Sequence, residues 1–250
     1  MDGSTVKMPR QKEIIEYFGK LFPGKGAPCP MARVLQLFDV NKKFTLDAII
    51  APFSIGEREP ASLHAFQRRP TGLLLLDRGY ASFQLLKIML HTGVNYRARV
   101  KRNQWTAVQS FFEFSQLDTM VIISPNTEAK KQRRELWLDV TPINIKLIRI
   151  ESSGGEVEIL ATSLTDTNIF KYDQFKELYH YRRPIEDDYK VMKHRIEVEN
   201  WSGETVESVF HDFHAKVLVE NITAALAHCT RTAIKRKTNY RKYEYRINFN

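Results

Sequence analysis

Two places in this 250-residue chain carry residue types and spacings suited to chemistry. The first is Asp77, which ends the apolar run "GLLLLD" and precedes "RGY". In open α/β sheets, functional residues collect beyond the carboxyl ends of strands, and a nearby glycine admits a ligand. The same residue type also serves as a strand-end turn or a helix cap. The second is "YHYRRPIEDDYKVMK", from Tyr179 to Lys193. At about 100° per residue on a continuous helix, Tyr179, Arg182, Glu186 and Lys193 fall within about 60° of one another. A phenol and two cations then share a face with one carboxylate. That face is either a site or a solvated surface paired through Arg182 and Glu186 at i,i+4. Pro184 lacks an N–H and would clash with the carbonyl of His180, so the helix kinks there or a new one starts with Pro184 in its first turn.

The remaining candidates are weaker. His211 and His214 in "HDFH" have the i,i+3 spacing of metal ligands, but no third ligand is obvious. Glu57 and Arg58 in "GERE" read as an ion pair or a helix start. Cys29 and Cys229 make neither a disulfide framework nor a zinc site, and they fit a reducing cytoplasm. The chain has no G-x-S-x-G, Walker loop or G-x-G-x-x-G.

The elements that must position these residues are legible in outline. "RQKEIIEYFGKLFPGKG" predicts a short helix stopped at Pro23 and Gly24. "MARVLQLFDV" and "FTLDAIIAPF" predict two strands joined by a polar turn at Asn41–Lys43. "GEREPASLHAFQRR" predicts a helix, and "TGLLLLD" a strand buried on both faces. "SFQLLKIMLHTG" then reads as a helix stopped by Gly93, and "NYRARV" as the next strand. Strand, helix and strand in this order predict a crossover unit in a mixed α/β sheet. From about 101 to 167 strand signals dominate, in "TMVIIS", "IKLIRIE" and "GEVEILATSL", with "SSGG" as a hairpin turn. After them, Val206, Val209, Phe210, Phe213, Val217, Leu218, Ile222, Ala225 and Leu226 recur at helical spacing and read as a core stripe, with Ser202 as N-cap.

Composition narrows the partners. The chain is 43% hydrophobic, enough for a proper core. No apolar run approaches the roughly 20 residues of a membrane span, and "MDGSTVKMPRQ" lacks the apolar region of a signal peptide. Lys and Arg number 38 against 29 Asp and Glu, a net charge of +9. Such an excess favours a polyanion partner. It is concentrated in "RTAIKRKTNYRKYEYR", with seven basic residues, one acid and interleaved tyrosines. Basic groups neutralise phosphates and aromatics stack on bases.

Three pieces together carry a resemblance: "MDGSTVKMP" at the start, "LLLLDRGY" in the middle, and Y-x2-R-x3-E-x6-K at Tyr179, Arg182, Glu186 and Lys193. The chain resembles bacterial insertion-sequence transposases of the DDE type with the YREK signature. The resemblance implies an RNase H-like mixed sheet flanked by helices, with residues 1–100 and 170–250 as the core and a β-rich insertion at 101–169. It implies catalytic and metal-binding roles for Asp2, Asp77 and Glu186, which would hold two Mg²⁺ ions, with Mn²⁺ able to substitute. Hard oxygen ligands suit Mg²⁺, and paired ions suit in-line displacement at phosphorus. The implied reaction nicks DNA at a transposon end and uses the freed 3′-OH for strand transfer. Tyr179, Arg182 and Lys193 are implied phosphate contacts. Arg183 stands where many relatives carry a base-stacking tryptophan, and arginine also stacks on bases. The implied partners are double-stranded DNA, as terminal inverted repeats and target, and a second copy on paired ends. The implied setting is the nucleoid in the cytoplasm. Because Asp2 follows only Met1, the resemblance also implies a chain shortened at its N-terminus. The alternative reading is an inactive remnant that binds DNA non-specifically.

Overall fold

The computed structural model describes the chain except residues 23–25, 68–71, 128–129, 132–138, 152–154, 167–168, 182 and 239–250. Side chains are also outside the description at 66–67, 176, 179–180, 183–184 and 231–238. In chain order the elements are β1 (Asp2–Lys7), α1 (Lys12–Phe18), β2 (Lys20–Leu21), β3 (Cys29–Asp39), β4 (Phe44–Pro52), α2 (Arg58–Gln67), β5 (Leu73–Leu76), α3 (Phe83–His91), β6 (Asn95–Val100), α4 (Thr106–Glu113), β7 (Asp118–Ile123), β8 (Ile143–Glu151), β9 (Val157–Thr162), α5 (Tyr172–His180), α6 (Arg183–His194) and α7 (Val206–Thr238). They divide into two compact units. One holds Met1 and residues 57–182, the other residues 2–56 and 183–250.

In the second of these units, β3 is the middle strand, antiparallel to both β1 and β4. The β3–β4 turn falls at Asn41–Lys43, as its polar residues predict. The Asp39 carboxylate accepts the amides of Asn41 and Lys42 at 3.0 and 3.1 Å, and Lys43 takes a left-handed φ of 59°. β1 runs in register with β3 from Asp2 opposite Gln36 to Lys7 opposite Met31. Val6, Val34, Phe38, Ala48 and Ile50 of this sheet pack against Ile14 and Phe18 of α1, Ile185, Tyr189 and Met192 of α6, and Val209, Phe213 and Val217 of α7.

Three local expectations for this unit are corrected. Helix α1 stops at Gly19, not at Pro23 and Gly24, which lie outside the described residues. Gly19 sits at φ 86°, open to glycine alone without strain, and its N–H bonds Ile15 O at 2.9 Å. The core face of α7 runs through Val209, Phe213, Val217, Glu220, Ala224 and Ala227, whereas Leu218, Ile222 and Leu226 face outward. The middle of this helix is apolar nearly all round, so spacing alone does not choose its buried side. Finally, α7 is capped by Thr205. Its Oγ1 accepts the Ser208 amide at 3.1 Å, while Ser202 binds the Asp212 carboxylate instead. Thr205→Ala is therefore expected to cost about 1 kcal/mol. That should appear as a fall in melting temperature of about 2–4 °C, with Ser202→Ala leaving this cap intact.

The other unit is built on a mixed sheet of order β5-β6-β9-β8-β7. β5 and β6 are parallel and joined by α3, the crossover that the sequence predicts. Ser82 caps α3 by accepting the Leu85 amide at 3.3 Å, and Phe83, Leu85, Leu86 and Met89 bury its inner face. Gly93 follows at φ 68°. The strands of the 101–169 stretch do not stand apart. β9 pairs antiparallel with β6, Arg97 opposite Thr162, and β8 and β7 follow outward. The same stretch also contains α4, whose Val108 and Phe111 are buried. Of the "SSGG" turn, Gly155 is described, at φ 78°, and β8 and β9 pair on either side of it.

Candidate active site

Asp77 follows the last residue of β5, at the carboxyl end of a strand parallel to β6. Its carbonyl accepts the Tyr80 amide at 3.0 Å, closing a turn over Arg78 and Gly79. Arg58 clamps that turn by donating Nε to Gly79 O at 2.8 Å. The "GERE" segment is thus a helix start whose arginine reaches the Asp77 turn, a long-range partnership that its local sequence does not announce. Buried Tyr80 anchors the turn, and the Gln104 amide bonds Ala81 O just beyond it.

Asp2 and Glu186 belong to the other unit. Asp2 opens β1, and its Oδ1 accepts the amide of Gly3 at 2.9 Å. Glu186 lies in the first turn of α6 and faces solvent. The hydroxyl of Tyr189, one turn after Glu186 on α6, donates to the Asp2 carbonyl at 2.6 Å. The apolar side of α6, Ile185, Tyr189 and Met192, faces the core and leaves Glu186 at its edge. The loop after α6 is tied to the other end of β1: Glu199 accepts the Lys7 amide at 2.9 Å, and Trp201 Nε1 donates to Lys7 O at 2.8 Å.

Of the two alternatives at Pro184, a kink or a new helix, the second is found, and the single face from Tyr179 to Lys193 is not continuous. Helix α5 ends at His180 and α6 begins at Arg183, so Pro184 sits in the first turn of a new helix. The cause is the missing N–H and the clash with the preceding turn. Tyr179 therefore lies in the last turn of one helix and Arg183 opens the next. Arg182 lies outside the described residues, as do the side chains of Tyr179 and Arg183. Glu186 and half-buried Lys193 do share a face of α6, two turns and about 10 Å apart along its axis.

Two acids, half-buried Asp188 and buried Glu220, escape the sequence reading. Asp188 and Glu220 sit on the inner stripes of α6 and α7. Burial pushes the Asp188 carboxyl up to about 7, against the opposing hydrogen bond of Gln36 and the charge of Lys43. Burial, then the charge of Asp188, pushes Glu220 up to about 8. Gln36 Nε2 also reaches Thr45 Oγ1 at 3.3 Å, and Asn221 binds the Thr45 backbone through both its amide atoms. The available signal was spacing: 185, 188, 189 and 192 on α6, and 213, 217, 220 and 224 on α7, each follow the core period.

Among the described residues, no three His, Cys, Asp or Glu side chains gather as a ready metal cluster, so His211 and His214 acquire no third ligand. The donor set nonetheless suits Mg²⁺ chemically. Asp2, Asp77 and Glu186 offer hard carboxylate oxygens, and Mg²⁺ is commonly held by one or two carboxylates with substrate phosphates supplying the rest. No helix among the described residues is long and apolar enough to cross a membrane.

The family profile of the transposase DDE domain matches residues 1–222, a span that includes Asp2, Asp77 and Glu186. No curated protein matches the chain in sequence. Among solved structures, it is similar to the piggyBac transposase in a synaptic complex with hairpin DNA, with a TM-score of 0.55 at 9% identity. The match covers 93% of this chain and 47% of the other, so this chain spans about half the length of that protein. At that identity the likeness speaks for the fold: a mixed α/β sheet flanked by helices, as in RNase H-like transposases.

Proposed function

Because the chain belongs to the transposase DDE domain family, we propose that it is a transposase catalytic domain that nicks DNA at transposon ends and transfers the freed strand. The observation that carries this reading is the family match over the span holding Asp2, Asp77 and Glu186. We assign these three acids as the ligands of two Mg²⁺ ions, with Mn²⁺ as substitute. When bound, the ions supply charge stabilisation for in-line displacement at phosphorus. The protein's own part is to hold its carboxylates and the DNA. The Asp77 turn is fixed by Arg58 and Tyr80, and Asp2 is held by the Tyr189 hydroxyl. Lys193 shares the face of Glu186 on α6, as a phosphate contact beside a metal ligand would require. Tyr179 and Arg182 are assigned to phosphates of the same strand end, and Arg183 to a base. Residues 1–100 and 170–250 form the proposed catalytic core, with 101–169 as its β-rich addition. Double-stranded DNA, as terminal repeats and target, is the proposed substrate, and a second copy on paired ends the proposed assembly.

The reading is tested by incubating the chain with a labelled transposon end and target DNA in Mg²⁺ or Mn²⁺. The expected products are a nick with a free 3′-OH and a joined strand, both lost on chelation. Cutting without joining would indicate a nuclease of another kind. DNA binding should also weaken linearly in log–log form with salt, by about 0.9 per phosphate contacted on duplex DNA. A flat response in fluorescence anisotropy would argue against DNA as the partner of this +9 chain.

A further inference from the structure

A cavity of about 280 Å³ opens at the carboxyl ends of β5 and β6, next in the chain to Asp77. Its walls are of two kinds. Val100, Val157 and Ile159 give an apolar part of the lining, and Arg78, Lys101 and Arg102 bring three cations to it. The acid in the wall, Glu158, is already neutralised by an ion pair with Arg99. The Arg102 guanidinium lies 4.3 Å from the Phe112 ring centroid, which holds it in place. Its pairing with Glu113 is long, 3.9 Å, and more than half exposed on both sides, so solvent screens it. Arg78 Nε is buried and donates to no acceptor among the described residues. A buried donor without a partner is costly, and an anion with several oxygens is the group that relieves it.

We propose that this cavity holds one phosphate of a DNA strand, with the attached deoxyribose against Val100, Val157 and Ile159. The three cations take the phosphate oxygens, Arg78 from within and Lys101 and Arg102 from the rim. A bare phosphate would leave the apolar wall uncovered, whereas a sugar–phosphate unit covers it. This contact is separate from those assigned to Tyr179, Arg182 and Lys193, and it rests on the transposase reading for its choice of strand.

The test is anisotropy of a DNA duplex with a 5′-phosphorylated single-stranded overhang, titrated across salt concentrations. The full chain is compared with Arg78→Gln/Lys101→Gln and with Lys12→Gln/Lys171→Gln, which removes equal charge from exposed sites outside the cavity. The cavity variant should lose roughly tenfold or more in affinity, and its salt slope should fall by about 1–2. The control should change by less than about threefold, in line with exposed charges. A cavity variant that behaves like the control overturns the proposal. If Arg78→Gln impairs folding, as a thermal melt would reveal, Lys101→Gln/Arg102→Gln at the exposed rim gives the same readout. Inorganic phosphate, matched in ionic strength by chloride, should leave the wild-type affinity within about threefold. Displacement of the DNA to the level of the cavity variant would overturn the strand as the source. Strand joining by the wild type is scored separately. A chain that joins ends while its cavity variant matches the control disproves the cavity alone. A chain that joins nothing disproves the transposase reading.

Discussion

Glu186→Ala and Asp77→Ala are each expected to reduce cleavage of a labelled transposon end by roughly 10³-fold or more. A carboxylate that holds a catalytic ion supports several kcal/mol of transition-state stabilisation, and each 1.36 kcal/mol is about tenfold in rate. DNA affinity should stay within a few-fold, because on the proposed reading removing an acid relieves repulsion with phosphate. The separation of rate from binding is therefore the diagnostic. Folding should also survive. Glu186 faces solvent at the edge of α6, and Ile185, Tyr189 and Met192 carry the packing of that helix. Tyr189→Phe makes the contrasting case: it keeps the ring and removes the hydroxyl that bonds the Asp2 carbonyl, so its loss should be smaller than that of Glu186→Ala. Equal activity in wild type and Glu186→Ala would leave a chain that binds DNA and does not use this acid.

The second large effect is a dependence of stability on pH set by Glu220. Its carboxyl is pushed up to about 8 in the folded chain, from an ordinary value near 4.5. Between roughly pH 4.5 and 8 the folded state keeps a proton that the unfolded state has already lost. Stability must then fall as pH rises through that window, and level off above it. Each tenfold difference in proton affinity between the folded and unfolded chain is worth about 1.4 kcal/mol, so a loss of a few kcal/mol is expected between pH 5 and pH 8. Glu220→Gln keeps the shape and removes the ionisation. Its melting temperature should match the wild type within a few degrees at pH 5 and exceed it by about 5–10 °C at pH 8. A constant difference at both pH values would mean that Glu220 does not bind its proton as the buried environment requires. The groups facing it are Asp188 and, through Asp188, Gln36 and Lys43.

Local signals predicted the crossover well. "TGLLLLD", the capped helix from Ser82 and "NYRARV" form the parallel β5–α3–β6 unit, because a continuous apolar run, a 3.6-residue period and a glycine stop are all short-range features. Partner choice was not legible. Nothing in "GEVEILATSL" says that it pairs with β6 and so extends the sheet of Asp77, since strand pairing is a long-range choice among similar edges. α7 failed for a different reason: with Leu218, Ile222 and Leu226 as apolar as Val209 and Phe213, only packing decides which side is buried. The acids show both limits. Asp77 was singled out by its place at a strand end and Glu186 by its spacing to Tyr179 and Lys193. The hydroxyl of Tyr189 on the Asp2 carbonyl, and Arg58 on the Asp77 turn, join residues far apart in the chain. The helical projection from Tyr179 to Lys193 does not continue across Pro184, where the alternative of a new helix with the proline in its first turn is the one found.

The proposed transfer of a DNA strand can be tested without the nicking step. A pre-nicked transposon end with a free 3′-OH is supplied with target DNA and Mg²⁺ or Mn²⁺, and the joined strand is quantified on a denaturing gel. The expected result is a joined product that requires the metal and disappears in Glu186→Ala. DNA binding with no joined product from the wild type, or joining that persists in the variant, would contradict the transposase reading.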